Sequence, residues 1–226
     1  MTVNRGKAGD LEQPSRFSLW LNALPIAVLA TGVAAAINLT TSTLGAVCFF
    51  AAWLYLLPPL ICRLLFAVFG RPEGELTQDL SSYRVWWTGM QLQLVFNRIG
   101  WLEELLRLVP GLYAFWIYLW GGRLSPYSFV GPGVTITDRY MIDVGPGAVL
   151  GAGCALAGHM VVYNKTGRWV VTVAAPVVER QAIVGGNAGL GPGARLLAGE
   201  MLPSGRRVAP FATWPRTGSD PGGNAS

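Results

Sequence analysis

A six-residue period runs through the second half of the chain. Val144-Gly145-Pro146-Gly147, Leu150-Gly151-Ala152-Gly153 and Leu156-Ala157-Gly158-His159 follow one another at that step, and Val178, Val184, Leu190, Leu196, Leu202 and Val208 repeat it further on. Val130, Ile136 and Ile142 keep the step upstream, but Ile142 and Val144 are only two apart, so the phase slips near Asp138, Arg139 and Tyr140. Six matches neither the 3.6-residue period of an amphipathic helix nor the two-residue period of a simple strand. It fits a triangular solenoid, in which each unit is one short strand and one corner and three units make a coil. Stacked coils lie ~4.8 Å apart, like neighbouring strands. The aliphatic residue points to the axis, and Gly or Asn supplies the positive φ of the corner.

On these residues the segment 129–213 resembles the hexapeptide-repeat acyltransferases, whose fold is a left-handed parallel β-helix. The run from Ile136 through Thr137, Asp138, Arg139 and Tyr140 to Gly145, then Gly158-His159, then Ile183-Val184-Gly185-Gly186-Asn187, is similar to membrane-associated members. Some of those are tails of large modular peptide-synthesising enzymes. The resemblance implies transfer of an acetyl or longer acyl group from a thioester to a hydroxyl or amine. The donor is acyl-CoA, usually acetyl-CoA, or an acyl carrier protein, bound as co-substrate with no tightly held cofactor. It also implies a homotrimer with the site between subunits, a histidine as general base, and backbone amides at the corners stabilising the oxyanion.

His159 is the only histidine of the chain. It occupies a corner position, so its ring is expected to point away from the axis, and an imidazole titrates in the range such a base requires. A lone surface histidine is the plain alternative. Asp143 or Glu200 would orient the ring, a solvated acid being the other reading of each. Val162 to Val177 breaks the period as a 16-residue insertion. Its Tyr163, Asn164 and Trp169 are the acceptor-side candidates, because long loops in compact domains are usually functional or disordered. Gly185, Gly186 and Gly191 would let a pantetheine arm approach the backbone, and Arg195, Arg206 and Arg207 would meet the phosphates of CoA, a solvated basic surface being the equal alternative for the arginines.

The first half reads differently. Phe17 to Cys62 contains no Asp, Glu, Lys or Arg over 46 residues, where one bilayer crossing needs about 20. The polar stretch Thr40-Thr41-Ser42-Thr43 divides it into helices from Phe17 to about Leu39 and from Leu44 to about Phe69. Arg5, Lys7 and Arg16 precede this transmembrane hairpin, and Arg63, Arg71 and Arg84 follow or close it, which places both termini and the catalytic domain in the cytoplasm. Pro25 and Pro58-Pro59 leave a re-entrant hairpin as the alternative. Five of the nine tryptophans, Trp86, Trp87, Trp101, Trp116 and Trp120, lie between residues 83 and 120. Tryptophan favours the headgroup layer, so interfacial helices are expected there, with core helices under the next domain as the alternative.

The expected organisation is a tail (1–16), the hairpin (17–70), interfacial helices and linker (71–124), the β-helix (125–213) and a tail (214–226). Composition agrees: 52% hydrophobic and 13% charged residues depart from an ordinary soluble domain at ~25% charged. The net charge of +5 comes without a Lys/Arg run, so no nucleic-acid partner is expected. Three cysteines fall at apolar or small-residue positions and form neither a disulfide framework nor a zinc motif. One imidazole per chain also fails to supply the three-His zinc site of the β-helices that hydrate carbon dioxide. The remaining rival is a non-catalytic, trimeric, membrane-anchored β-helix scaffold, which has no need of His159.

Overall fold

The computed structural model describes residues 12–215. Arg5, Lys7 and residues 216–226 of the expected tails lie outside the described residues.

Among the described residues six helices precede the solenoid: α1 (Arg16–Leu21), α2 (Leu24–Leu39), α3 (Thr43–Phe69), α4 (Ser81–Arg98), α5 (Trp101–Arg107) and α6 (Leu112–Trp120), with strand β1 (Gly74–Thr77) between α3 and α4. The turn of the apolar hairpin falls at Thr40–Ser42, where the polar stretch suggests it. Ser42 caps α3 by accepting from Gly45 N at 3.1 Å, satisfying one of the donors left open at a helix start. The first arm is not one helix. Pro25 sits in the first turn of α2, where its missing N–H costs nothing, and a continuous helix would drive its ring into the Leu21 carbonyl. In α3, Pro58 and Pro59 lie inside the helix. Pro59 cannot donate to the Tyr55 carbonyl four residues earlier, and the Trp116 indole N–H takes that acceptor at 2.9 Å. The α2–α3 contact is close: a Cβ on Gly32 would come within 2.6 Å of the Trp53 ring.

Beyond α6 the chain winds as a parallel β-solenoid. Its first coil holds β2 (Arg123–Leu124), β3 (Phe129–Val130) and β4 (Thr135–Ile136), and its second β5 (Asp143–Val144), β6 (Val149–Leu150) and β7 (Ala155–Leu156). After an excursion, β8 (His159–Tyr163) and β9 (Trp169–Val173), come β10 (Val177–Val178), β11 (Ile183–Val184) and β12 (Gly189–Leu190), then β13 (Arg195–Leu196), β14 (Met201–Leu202), β15 (Arg207–Val208) and β16 (Thr213–Trp214). Three flat faces result, with strand orders β2-β5-β10-β13-β16, β3-β6-β11-β14 and β4-β7-β12-β15. Val144, Leu150, Leu156, Val178, Val184, Leu190, Leu196, Leu202 and Val208 are all buried on the axis, so the six-residue period is the inward ladder. Three residues after the inward one, nine corners carry positive φ: Gly133, Gly147, Gly153, Gln181, Asn187, Gly193, Gly199, Gly205 and Phe211.

The corners after β4 and β7 are built differently. The phase slip adds two residues to the first, which runs from Thr137 to Ile142. The second opens into the antiparallel hairpin β8–β9, to which β1 adds a third strand. The excursion thus begins at His159 rather than Val162, and its core is sheet, not loop.

The tryptophans divide in a way their composition conceals. Trp86, Trp116 and Trp120 are buried inside the protein: Trp116 and Trp120 form a ring cluster with Tyr55, Phe96 and Tyr113, and Trp86 packs with Tyr83 and Trp87. They pack α4 and α6 against α3 and the first coils, so these three cannot face headgroups. Trp101 is 62% exposed, and Leu105, Leu108, Val109, Phe115 and Tyr118 share its exposure along α5 and α6.

Coil stacking also accounts for Gly185: a Cβ there would lie 2.5 Å from the Ser204 amide nitrogen of the next coil. Gly185→Ala is expected to lower stability by about 1–3 kcal/mol, the usual cost of overpacking, read as a fall in thermal midpoint. Gly186→Ala, whose Cβ would meet only the Ala152 carbonyl at 3.4 Å, is expected to cost less.

Candidate active site

The two irregular corners stack on each other and bring the candidate base to a carboxylate. Thr135 pairs with Ala155 and Ile136 with Leu156, so continuing that register sets Asp138 against Gly158 and next to His159. His159 Nδ1 lies 2.6 Å from Asp138 Oδ2. The same oxygen accepts from Thr137 Oγ1 at 2.7 Å and from the Gly158 amide at 3.1 Å. A carboxylate only accepts, so Nδ1 carries the hydrogen and Nε2 keeps the lone pair. Gly158 has no room for more: a Cβ would lie 2.7 Å from the Asp138 Cβ.

Asp138 is fully buried, while the His159 side chain keeps 20% of its exposure. The ring points away from the solenoid axis, as its corner position requires, but it meets α4 rather than open solvent. Trp86 packs edge-on at 5.3 Å between ring centroids. Among the described residues no hydrogen-bond partner faces Nε2. Burial works to lower the imidazole pKa, but the hydrogen bond and charge of Asp138 outweigh it, and the net shift is upward from 6.5. The arrangement gives the imidazole one fixed tautomer, an oriented ring and a stabilised protonated form, which is what accepting a proton from a hydroxyl or amine requires.

The carboxylate at the ring is therefore neither Asp143 nor Glu200. Asp143 pairs with Arg123 at 2.6 Å, and Glu200 is exposed two coils further on. The phase slip was the available signal for Asp138: two extra residues in a regular ladder leave a side chain free of the repeat. Trp86 gave none, since it lies in a helix far away in sequence.

The other sequence candidates scatter. Asn164 closes the tip of the β8–β9 hairpin, its Oδ1 accepting from Thr166 N, Thr166 Oγ1 and Arg168 N at 2.7–3.0 Å, a structural turn. Tyr163 and Trp169 pair across the same end, rings at 5.7 Å, four strand residues or ~13 Å from His159. Trp169 also lines a cavity of about 90 Å³ with Tyr83, Trp87 and Ser18. Of the donor-side candidates, Arg195 pairs with Glu179 at 2.6 Å and Arg206 stacks over the Trp214 ring at 5.2 Å. Arg207 is exposed. Gly185 and Gly186 lie at a different corner of the triangle from His159. Gly191 follows β12 at the His159 corner, one coil on, where Pro210 fills the space beside it. Among the described residues no group of three His, Cys, Asp or Glu side chains is placed to hold a metal ion.

No protein-family model matches the sequence, and no curated protein matches it. Among solved structures the chain is similar to serine acetyltransferase isoform 3 of Entamoeba histolytica in complex with cysteine, at 12% identity over 95% of this chain and 86% of that one, TM-score 0.24. It is similar to serine acetyltransferase of Neisseria gonorrhoeae in complex with serine, at 15% identity over 87% and 82%, TM-score 0.26. A serine acetyltransferase in complex with CoA matches at 15% identity over 87% and 93%, TM-score 0.21. With TM-scores this low, the chemistry of those proteins says nothing about this site, which stands on its own geometry.

The upward shift of His159 fixes the sign of a stability effect. The pair stabilises the folded protein fully below the unfolded imidazole pKa, near 6.5, and this contribution is lost as pH rises through the higher folded value. Asp138→Asn is therefore expected to lower the melting temperature more at pH 5.5 than at pH 9, measured by thermal unfolding at both. An equal loss at both values would show that the pair carries no charge-dependent stability.

Proposed function

We propose that this protein is a membrane-associated acyltransferase in which His159, oriented by Asp138, is the general base. The observation that carries the reading is the position of this pair: a buried carboxylate and a partly exposed imidazole at the one seam where two solenoid corners depart from the repeat. A scaffold built only as a rigid spacer has no use for a fixed tautomer at that seam. The acceptor hydroxyl or amine loses its proton to Nε2 as its oxygen or nitrogen attacks the thioester carbonyl. The thiolate leaves, taking up that proton, and the acyl bond to sulfur is replaced by one to the acceptor. The left-handed winding, the homotrimer and the acyl-CoA or carrier-protein donor belong to this reading.

The membrane part rests on the apolar half. The arms Arg16–Leu39 and Thr43–Phe69 cover 24 and 27 residues; α3 alone is about 40 Å long against a hydrocarbon core of ~30 Å, and the first arm is made of α1 and α2 with a break between them. Their outward residues Ile26, Val33, Ile37, Leu44, Val47, Leu56, Leu60 and Leu64 are exposed and apolar, and the exposed side of α5 and α6 continues that surface. The site adjoins the charged end of α3: Phe66 packs on the Tyr140 ring at 4.6 Å, and Arg71 reaches the Met141 sulfur at 2.9 Å. Tyr140 and Met141 belong to the same corner as Asp138. A lipid, a lipid-linked sugar or a hydrophobic amine held at a cytoplasmic bilayer surface would present its polar end there.

His159→Ala is expected to lower thiol release from acetyl-CoA or a long-chain acyl-CoA by ~10²–10⁴-fold, assayed in mixed phospholipid vesicles, with the melting temperature preserved. Wild-type rates in the variant, or no thioester consumption by the wild type, would favour the scaffold.

A further inference from the structure

The corner that carries Asp138 is held by the helical half of the protein, and the hold is built from polar groups, of which Gln93, Glu103 and Arg139 are buried. Arg139, the next residue along, is 1% exposed. Its guanidinium forms an ion pair with Glu103 of α5 and donates to Asn97 Oδ1 of α4 at 2.8 Å. It lies between the Phe96 and Trp116 rings, at 5.6 and 5.5 Å. Its backbone N–H donates to Gln93 Oε1 at 2.6 Å, and Gln93 is locked by its own bond to the Gly89 carbonyl at 3.1 Å. On the other side of Asp138, Asn97 Nδ2 donates to the Thr137 carbonyl at 3.3 Å. Glu103 is shared with Arg107, which also bonds Glu104 at 2.6 Å and the Val134 carbonyl at 2.9 Å.

Such a network is a poor route to stability. An ion pair taken out of water loses hydration that its attraction barely offsets, and apolar side chains of like volume often stabilise as much or more. The structure places the cost where the solenoid has no means of its own to fix the chain, in a corner two residues too long for the repeat. Thr137 and Arg139, the neighbours of Asp138 on both sides, are each tied to α4. We infer that Gln93, Asn97 and the Arg139–Glu103 pair are positioning residues that fix the Asp138 carboxylate against His159. They act through Asp138 and touch no reacting atom. This rests on the proposed role of the pair and adds the device that sets its geometry, tying it to helices packed on the apolar hairpin.

The single histidine makes the test direct. The ring of ¹⁵N-histidine-labelled full-length protein in detergent gives one imidazole whose pKa and Nδ1 shift are read by NMR titration. The titratable and charged groups around the corner include Asp138, Arg139 and Tyr140 of the corner itself, Cys62 from α3, Arg71 and Glu73 following it, and Glu103 from α5 with its partners Arg107 and Tyr113. None of these is altered by Asn97→Ala or Gln93→Met. Both variants are expected to move the imidazole pKa down toward 6.5, the value of an unpartnered ring, and to weaken the Nδ1 hydrogen-bond signature. Leu202→Ala, a buried axis residue two coils away, should destabilise the solenoid and leave both readouts in place. Asn97 is exposed, so its variant should fold even if Gln93→Met does not. If Asn97→Ala and Gln93→Met leave the ring unchanged while Asp138→Asn shifts it, the positioning role is overturned and the pair survives. If Asp138→Asn leaves the ring unchanged too, the pair itself is lost, and the proposed function with it.

Discussion

In-register stacking of two solenoid coils is the constraint from which the site follows. Because β4 lies under β7 with Ile136 opposite Leu156, whatever leaves the ladder after one strand meets whatever leaves it after the other. At nine corners a residue of positive φ turns the chain and nothing leaves. After Ile136 and Leu156 the same position holds Arg139 and His159, and there the chain departs, once by two extra residues and once by a hairpin. Both departures need support from outside the solenoid. Helices α4 and α5 supply it to the first, and β1 pairs with the second. The helical half is thus bound to the β half at the point where the chemistry is proposed to occur.

The solenoid was legible in the sequence because its core is one-dimensional. Each inward residue is fixed by its neighbours six positions away, and the ladder from Val144 to Val208 appears in the structure as read. The hairpin was legible because a long uncharged run permits few alternatives, and a polar break locates its turn. The break at Pro25 followed a local rule that the apolar run obscured. Tryptophan composition misled because a ring that anchors at a membrane surface and one that fills a core have the same letter. Trp101 opens α5 and faces outward, whereas Trp116 lies inside α6 on its buried side.

At the site, sequence reading reached His159 and stopped short of Asp138. The residues that make the pair are 21 apart in the chain, and their contact depends on counting the two extra residues of the slipped corner. Without that count Asp143 and Glu200 read as equivalent carboxylates, but Asp143 opens β5 at the far end of the slipped corner, paired with Arg123, and Glu200 sits at another corner, before β14. The donor-side glycines illustrate a further limit. Gly185 is bare because the next coil presses on it, and a ligand-facing glycine reads the same way. Gln93, Asn97 and Glu103 carried no sequence signal, since a polar residue on a helix ordinarily means a solvated face.

If the imidazole is the base, its ionisation must appear in the reaction. The most direct measurement is the pH dependence of kcat/KM for thioester consumption by wild type and by Asp138→Asn in vesicles. The account predicts a wild-type rate that rises with pH through one group titrating above the usual histidine value, because only the neutral ring accepts a proton. In Asp138→Asn that inflection should move downward, with a lower plateau. A profile that is flat with pH, or one whose inflection stays in place when Asp138 is replaced, would contradict it.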